Sequence, residues 1–143
     1  MNILRRPWVR LALGVVILAL GYWTLRPAPK TDSGGRIAVV VPQLSETAQA
    51  GKIAFDANCG RCHGRNATGT DRGPPLVHDI YNPGHHADIA FFMAARRGVR
   101  AHHWAFGNMP PQPQVSDKQL MAIVRYIREL QEANGIFFKP HVM

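Results

Sequence analysis

Hydrophobic side chains recur with the 3.6-residue period of an amphipathic helix near the C-terminal end of the chain. The segment opens with a capping box, in which Ser116 is followed three residues later by Gln119, and it closes at Asn134-Gly135. Its apolar positions form one stripe, which consists of Leu120, Ile123, Val124, Ile127 and Leu130. The pattern therefore predicts a long helix with this stripe against the core.

A second helix is predicted to begin near residue 45. Ser45 or Thr47 can cap it, and Gly51 and Phe55 are expected to share a face with Ile53. Glycine inside a helix costs about 1 kcal/mol relative to alanine. Gly51 therefore calls for a reason, such as the close crossing of another helix.

A third predicted helix lies between these two and ends at Gly98. Its aromatic residues, Phe91 and Phe92, are expected to pack in the core. Met93, and Met121 of the last helix, are expected to fill gaps there, because methionine adapts to irregular spaces.

Residues 64–84 show no periodicity and are rich in glycine and proline. A structureless stretch of this length is uncommon in a compact domain. A large buried cofactor would change that expectation, because an apolar disc supplies a core on which a loop can pack. The pattern is therefore mild support for such a cofactor.

The N-terminal hydrophobic pattern is different, because residues 11–25 form an uncharged run of fifteen. Extended back to Trp8, the run spans roughly 27 Å as a helix, close to the roughly 30 Å hydrocarbon core of a bilayer. Trp8, Tyr22 and Trp23 stand where interfacial aromatic residues are found. We predict a retained transmembrane anchor; a cleaved signal peptide is the alternative, with a poor cleavage site ending at Gly21.

This reading divides the chain into four parts. Residues 1–7 are the cytoplasmic N-terminus, 8–25 the transmembrane anchor or uncleaved signal, 26–44 a linker, and 45–143 the folded domain. Inside the linker, the apolar residues 37–41 are expected either to pack on the domain or to contact a partner.

Charge is unevenly distributed along the chain. The formal net charge is +8, and five of the 17 basic residues but none of the nine acidic ones precede Thr31. From Thr31 onward, twelve basic side chains stand against nine acidic ones, a net charge of +3. No basic stripe with interleaved aromatic residues is present, so nucleic-acid binding is not predicted.

Both cysteines of the chain stand in the stretch CGRCHG, residues 59–64. A zinc site needs four ligands, and a redox C-x-x-C pair should follow a strand, whereas the segment before Cys59 predicts a helix. The order C-x-x-C-H is also the motif of covalent haem attachment, in which Cys59 and Cys62 bond to the haem and His63 reaches the iron. The motif favours haem, with zinc and redox chemistry left as alternatives.

The order of motifs resembles that of the class I cytochromes c, specifically small bacterial monohaem proteins. The resemblance covers roughly residues 48–133 and joins the CGRCHG motif to GPPL at 73–76, WAFGNMPP at 104–111 and a C-terminal helix carrying Tyr126. It implies an all-α class I cytochrome c fold around one covalently bound haem c. It also implies that the first and last helices cross where Gly51 faces Tyr126.

The resemblance further implies the iron ligands. His63 and Met109 would be the two axial ligands, and a thioether ligand raises the reduction potential. Two pairs of histidines are competitors for the sixth position, namely His85, His86, His102 and His103.

Three further residues receive roles from the resemblance. The carbonyl of Pro74 is expected to accept the Nδ1–H of His63, Leu76 to pack on the haem ring, and the indole N–H of Trp104 to bind a haem propionate. Arginines 96, 97 and 100 either neutralise propionates or lie on a solvated face.

The implied function is electron transfer and not enzymatic catalysis, because a haem iron closed on both faces lacks an open position. The alternative is a fixed haem-bearing subunit of a larger oxidase or dehydrogenase complex. Donor and acceptor are expected to be membrane-embedded and periplasmic redox proteins, with an acidic partner steered by arginines near the haem. Since bacteria attach c-type haem outside the cytoplasm, the expected location is the bacterial inner membrane, single-pass, with the haem domain in the periplasm.

Overall fold

The computed structural model describes Gly21 and residues 37–140. The chain divides into two compact units, Met1–Lys30 and Thr31–Met143, and every described residue except Gly21 belongs to the second. None of the helices in the described part is both long enough and apolar enough to cross a bilayer. The predicted anchor, residues 8–25, lies outside the described residues apart from Gly21.

The domain is built from helices joined by irregular segments. The helices are α1 (Glu46–Asn58), α2 (Gly60–His63), α3 (Asp88–Arg97) and α4 (Asp117–Ala133), and 3₁₀ turns occur at Arg65–Ala67 and Asp79–Tyr81. Over residues 37–140 the backbone forms no strand, and its one isolated β-bridge pairs Val99 with Met109. The prediction of an all-α domain is confirmed for this part of the chain.

Helix α4 begins at the predicted capping box. The Ser116 hydroxyl accepts a hydrogen bond from the Gln119 amide, and the Gln119 side chain accepts one from the Ser116 amide at 2.9 Å. All five residues of the predicted apolar stripe are buried. Met121 is 62% exposed, so the prediction that it fills a core gap is wrong. It lies one position outside the stripe.

Helix α1 crosses α4 at Gly51. A Cβ atom on this glycine would lie only 1.9 Å from the carbonyl oxygen of Ala122. The close crossing is therefore confirmed, but Gly51 faces the backbone at Ala122, and Tyr126 instead packs edge-on against Phe55 with ring centroids 5.5 Å apart. Ile53 is 74% exposed, because two residues of helix turn it about 200° away from Gly51.

The irregular residues 64–84 pack into the core. Ala67, Leu76 and Val77 are buried there, and the Gln131 side chain of α4 donates a hydrogen bond to the Leu76 carbonyl at 2.8 Å. A buried loop must have its polar backbone groups satisfied. Helix α4 meets part of that need, which lets this long segment form one wall of the domain.

The chain also packs on the domain ahead of α1. Ile37 and Val39 lie against the core, and the Asn134 side chain exchanges two hydrogen bonds of 2.8 Å with the backbone of Val40. Of the two expectations for residues 37–41, packing on the domain is the one observed, although Val40 and Val41 keep exposed side chains.

Candidate functional site

The domain contains a cavity of ≈ 550 Å³ with a mainly apolar lining. Its walls come from all four helices and from the irregular segments between them. Six of the seven predicted site residues line it, namely Cys59, His63, Pro74, Leu76, Trp104 and Met109. The seventh, Cys62, is exposed and is not part of the lining. A cavity of this size and polarity is typical of a cofactor site.

His63 is a buried imidazole at the end of α2. Its Nδ1 lies 2.9 Å from the carbonyl oxygen of Pro74, which is the expected hydrogen bond. A carbonyl can only accept, so Nδ1 carries the hydrogen and Nε2 keeps its lone pair. Burial lowers the pKa of His63, and the bond to Pro74 opposes that shift only in part. The ring is therefore neutral at pH 7 and able to bind a metal.

The two cysteines are free thiols on the same short segment. Burial, reinforced by the nearby Cys62, raises the pKa of Cys59 to about 11. Redox C-x-x-C pairs show the opposite shift, because they need a thiolate at neutral pH. Within the described residues, neither cysteine belongs to a group of three or more potential metal ligands. Both alternatives to haem attachment, the redox pair and the zinc site, thus lose support.

Met109 reaches the cavity from the segment that follows α3. Its backbone exchanges two hydrogen bonds of 3.0 Å with Val99, and these form the isolated bridge. The preceding Gly98 has φ +75°, and a Cβ there would lie 2.6 Å from the Met109 carbonyl oxygen. Only glycine suits that position, so Gly98 both ends α3 and permits the bridge.

Trp104 lines the cavity, and its role toward a propionate stays a prediction. Its indole N–H donates to the hydroxyl of Tyr81 at 3.1 Å, and its ring lies edge-on to His78 at 5.1 Å between centroids. The donor assigned to a haem propionate is therefore taken by Tyr81 in this structure. Tyr81 is a cavity residue that sequence reasoning missed, because it stands in an irregular segment where spacing gives no information about contacts.

Arg128 is the second missed residue. It is 7% exposed and pairs with Asp88 at 2.7 Å, with its charge 4.8 Å above the ring centre of Phe91. It also donates to the carbonyls of Tyr81 and His86, so it holds the backbone behind two cavity residues. Its position was a usable signal, because Arg128 follows Val124 by four residues and so lies on the buried face of α4.

The structure also shows where the aromatic, methionine and arginine side chains of α3 lie. Phe91 and Phe92 pack against the core as predicted, and Met93 lines the cavity. Among the arginines assigned to propionates or solvent, Arg97 lines the cavity, whereas Arg96 pairs with Asp117 of α4.

The residues of the cavity fit a covalently bound haem. A neutral imidazole and a thioether come from separate segments, which is the donor set of a His/Met-ligated iron. The apolar lining suits a flat hydrophobic ring, and Arg97 offers a positive charge for a propionate. Cys59 lines the cavity, and Cys62 lies three residues later on the same short segment.

The comparison with protein families agrees with the site. A search of curated proteins gave no match to this chain. The sequence pattern of the family described as Cytochrome c matches residues 48–131, which is more than half of the chain. The match contains α2, α3 and both 3₁₀ turns whole and most of α1 and α4. The chain therefore belongs to the cytochrome c family, as a class I c-type cytochrome that transfers electrons with covalently bound haem c.

Proposed function

We propose that this protein is a membrane-anchored carrier of single electrons, with one haem held by Cys59 and Cys62 and ligated by His63 and Met109. The observation that carries this proposal is the buried His63 imidazole, fixed by the Pro74 carbonyl on the same cavity that Met109 lines. The bound haem supplies a one-electron iron couple.

The protein's own groups set the properties of that couple. The hydrogen bond from Nδ1 of His63 to the Pro74 carbonyl fixes the tautomer of the ring. It also makes the lone pair of Nε2 more basic and so a stronger ligand for iron. The thioether of Met109 is a soft ligand that favours reduced iron and raises the potential. The β-bridge between Met109 and Val99 restricts rearrangement of this segment, and so do Pro110 and Pro111, which follow Met109.

Electron transfer is favoured over catalysis because two protein ligands leave no open position. The test is to record the absorption spectrum of the reduced, haem-loaded protein before and after carbon monoxide is added. We expect a low-spin spectrum that carbon monoxide does not change and rapid reoxidation by a one-electron acceptor. Fast carbon monoxide binding would instead indicate an open site and an enzymatic role.

The anchor proposal rests on the uncharged residues 11–25 and their aromatic flanks. It places the haem domain on the periplasmic face of a bacterial inner membrane. Membranes washed with high salt should retain the protein, and replacing residues 1–25 by a cleavable signal should release it. If the measured mass of the intact protein is that of a chain beginning at Tyr22, the segment is a cleaved signal peptide instead.

A second candidate is a fixed haem subunit of an oxidase or dehydrogenase complex. Exposed apolar side chains favour it, because Val40, Phe137 and Phe138 are 64%, 58% and 68% exposed. Copurification in mild detergent separates the two candidates. A stable complex of constant composition supports the subunit, and a monomer supports the free carrier.

We also propose that membrane-embedded and periplasmic redox proteins are the donor and acceptor, and that an acidic one docks beside the attachment segment. Arg61 and Arg65 are exposed there, while Nε of Arg72 lies 3.9 Å from Oδ1 of Asp71.

Salt should slow electron transfer to an acidic acceptor, because it screens electrostatic attraction beyond about 8 Å. Arg65→Glu should slow it further, whereas Lys118→Glu, at an exposed site outside the cavity lining, should not. Rates independent of salt would contradict the docking proposal.

A further inference from the structure

Four histidines from two separate segments come together, and three of them, His86, His102 and His103, line the cavity. His85 and His86 precede α3, and His102 and His103 follow it. The ligand atoms of His85, His86 and His103 all lie within 4.8 Å of one another, and the ring centroid of His102 lies 4.2 Å from that of His103. This is the one such group of three or more potential metal ligands within the described chain.

Backbone carbonyls select the tautomer of two of these rings. Nδ1 of His86 lies 2.7 Å from the Ile80 carbonyl oxygen, and Nδ1 of His102 lies 2.8 Å from that of Arg100. Because a carbonyl only accepts, both Nδ1 atoms carry hydrogen and both Nε2 atoms keep a lone pair. Histidines that ligate metals are usually oriented by such a bond from the other ring nitrogen.

The spacing of the nitrogens suits a tetrahedral ion. Nε2 of His85 lies 3.3 Å from Nε2 of His103. Two nitrogens at about 2.0–2.1 Å from a zinc ion, with a tetrahedral angle between them, are about 3.3–3.4 Å apart. The other separations in the group do not exceed 4.8 Å, and rotation of the exposed rings of His85 and His103 can shorten them.

The electrostatic surroundings favour the neutral form of two of these imidazoles, His86 and His103. Desolvation, followed by the neighbouring histidines, lowers the pKa of both His86 and His103. Arg128 of α4 adds to the effect on His86, and the bond to Ile80 partly opposes it. Neutral imidazoles are the form that binds metals, so little binding energy is lost to deprotonation at pH 7.

We propose that His85, His86 and His103, with His102 as a further imidazole, bind one divalent transition-metal ion of the Zn²⁺ or Cu²⁺ type. Imidazole ligands suit these ions, whereas Mg²⁺ and Ca²⁺ require oxygen ligands. Three of the four histidines also line the cavity, and the proposed ion is a second metal in addition to a haem iron held by His63 and Met109. The site is independent of the electron-transfer proposal.

The experiment is a Zn²⁺ titration of the haem-loaded full chain, followed by competition with a chromophoric chelator. We expect one Zn²⁺ per chain, tighter binding of Cu²⁺, and weaker binding at pH 5.5 than at pH 7.5. His103→Gln should weaken binding at least tenfold, and the double variant with His85→Gln should abolish it. His78→Asn is the matched control, because it removes a histidine outside the cluster and keeps a side-chain acceptor for the Ile80 amide.

Three outcomes would overturn the proposal. The first is no saturable Zn²⁺ binding by the wild type, and the second is unchanged affinity in His103→Gln. The third is a change in the haem absorption spectrum on adding Zn²⁺ that shows an axial ligand being withdrawn, since the histidines would then serve the iron. If the double variant does not accumulate, His103→Gln alone decides the question.

Discussion

The two sides of the cavity are held in place in different ways. On the attachment side, which comprises residues 59–74, α2 follows directly on α1, α1 is locked against α4 at Gly51, and His63 is buried. On the methionine side, which comprises residues 98–111, the backbone is irregular and Met109 is placed by a single bridge. Helix packing thus holds His63 in place, and local backbone hydrogen bonds hold Met109. Substitutions should therefore affect stability on the attachment side and redox properties on the methionine side.

The largest effect is expected for Met109→Ala. Loss of the thioether should open the sixth position, permit carbon monoxide binding and give weak peroxidase activity. The reduction potential should fall by on the order of 0.1 V or more, within the roughly 0.8 V range that axial ligands span. Potentiometry and absorption spectra check this, while circular dichroism should show intact helices. A potential and spectrum equal to those of the wild type would mean that one of the histidines is the ligand.

Gly51→Ala probes the packing that supports the attachment side. The added Cβ would lie 1.9 Å from the Ala122 carbonyl oxygen, so the helices must separate. A clash with a backbone atom belongs at the upper end of overpacking costs, about 3 kcal/mol, and alanine regains roughly 1 kcal/mol of this in helix propensity. Denaturant unfolding should show a net loss of about 2 kcal/mol.

Gly60→Ala is the matched control, since its Cβ would meet only an ordinary contact of 3.7 Å with the Phe55 carbonyl oxygen. If both variants lose the same free energy of unfolding, the helix crossing at Gly51 does not stabilise the attachment side.

A double-mutant cycle of Tyr81→Phe and Trp104→Phe tests how the methionine side is tied to the loop before α3. The 3.1 Å hydrogen bond between the two side chains should give a coupling energy of about 1 kcal/mol in unfolding. If the two substitutions lower the free energy of unfolding additively, the indole N–H donates to another acceptor when haem is bound. A haem propionate is the expected acceptor.

The smallest effect concerns Glu129, which ties α4 to the start of α1. Burial opposes its ionisation, but hydrogen bonds from the amide and hydroxyl of Ser45 and from Arg125 outweigh it and lower the pKa of Glu129 below 4.5. A lowered folded-state pKa contributes stability above the ordinary pKa, and this is lost as the pH falls through the lowered value. Unfolding measured between pH 7 and pH 3 should show this decline, and Glu129→Gln should flatten it. An unchanged slope in the variant would assign the decline to other carboxyl groups.

The helices were predictable from sequence because their signals are local. Capping residues located the start of α1, Gly98 the end of α3, and the capping box and Asn134-Gly135 the two ends of α4. The family motifs identified six of the residues that line the cavity. Helix α2 was not predicted, because four residues are too few for a period. Tyr81, Arg128 and the meeting of the two histidine pairs were missed as well. Their contacts join segments 16 or more residues apart, which no local spacing encodes, although the helical period of α4 does place Arg128 on its buried face.

The mass of the denatured protein tests the central claim most directly. The full chain should be produced in cells that attach c-type haem, extracted with acidified organic solvent and digested. The account predicts that a peptide containing Cys59 and Cys62 retains the mass of one haem, and that the double variant Cys59→Ala/Cys62→Ala retains none. A wild-type chain that loses all its haem to the solvent would contradict covalent attachment at this motif.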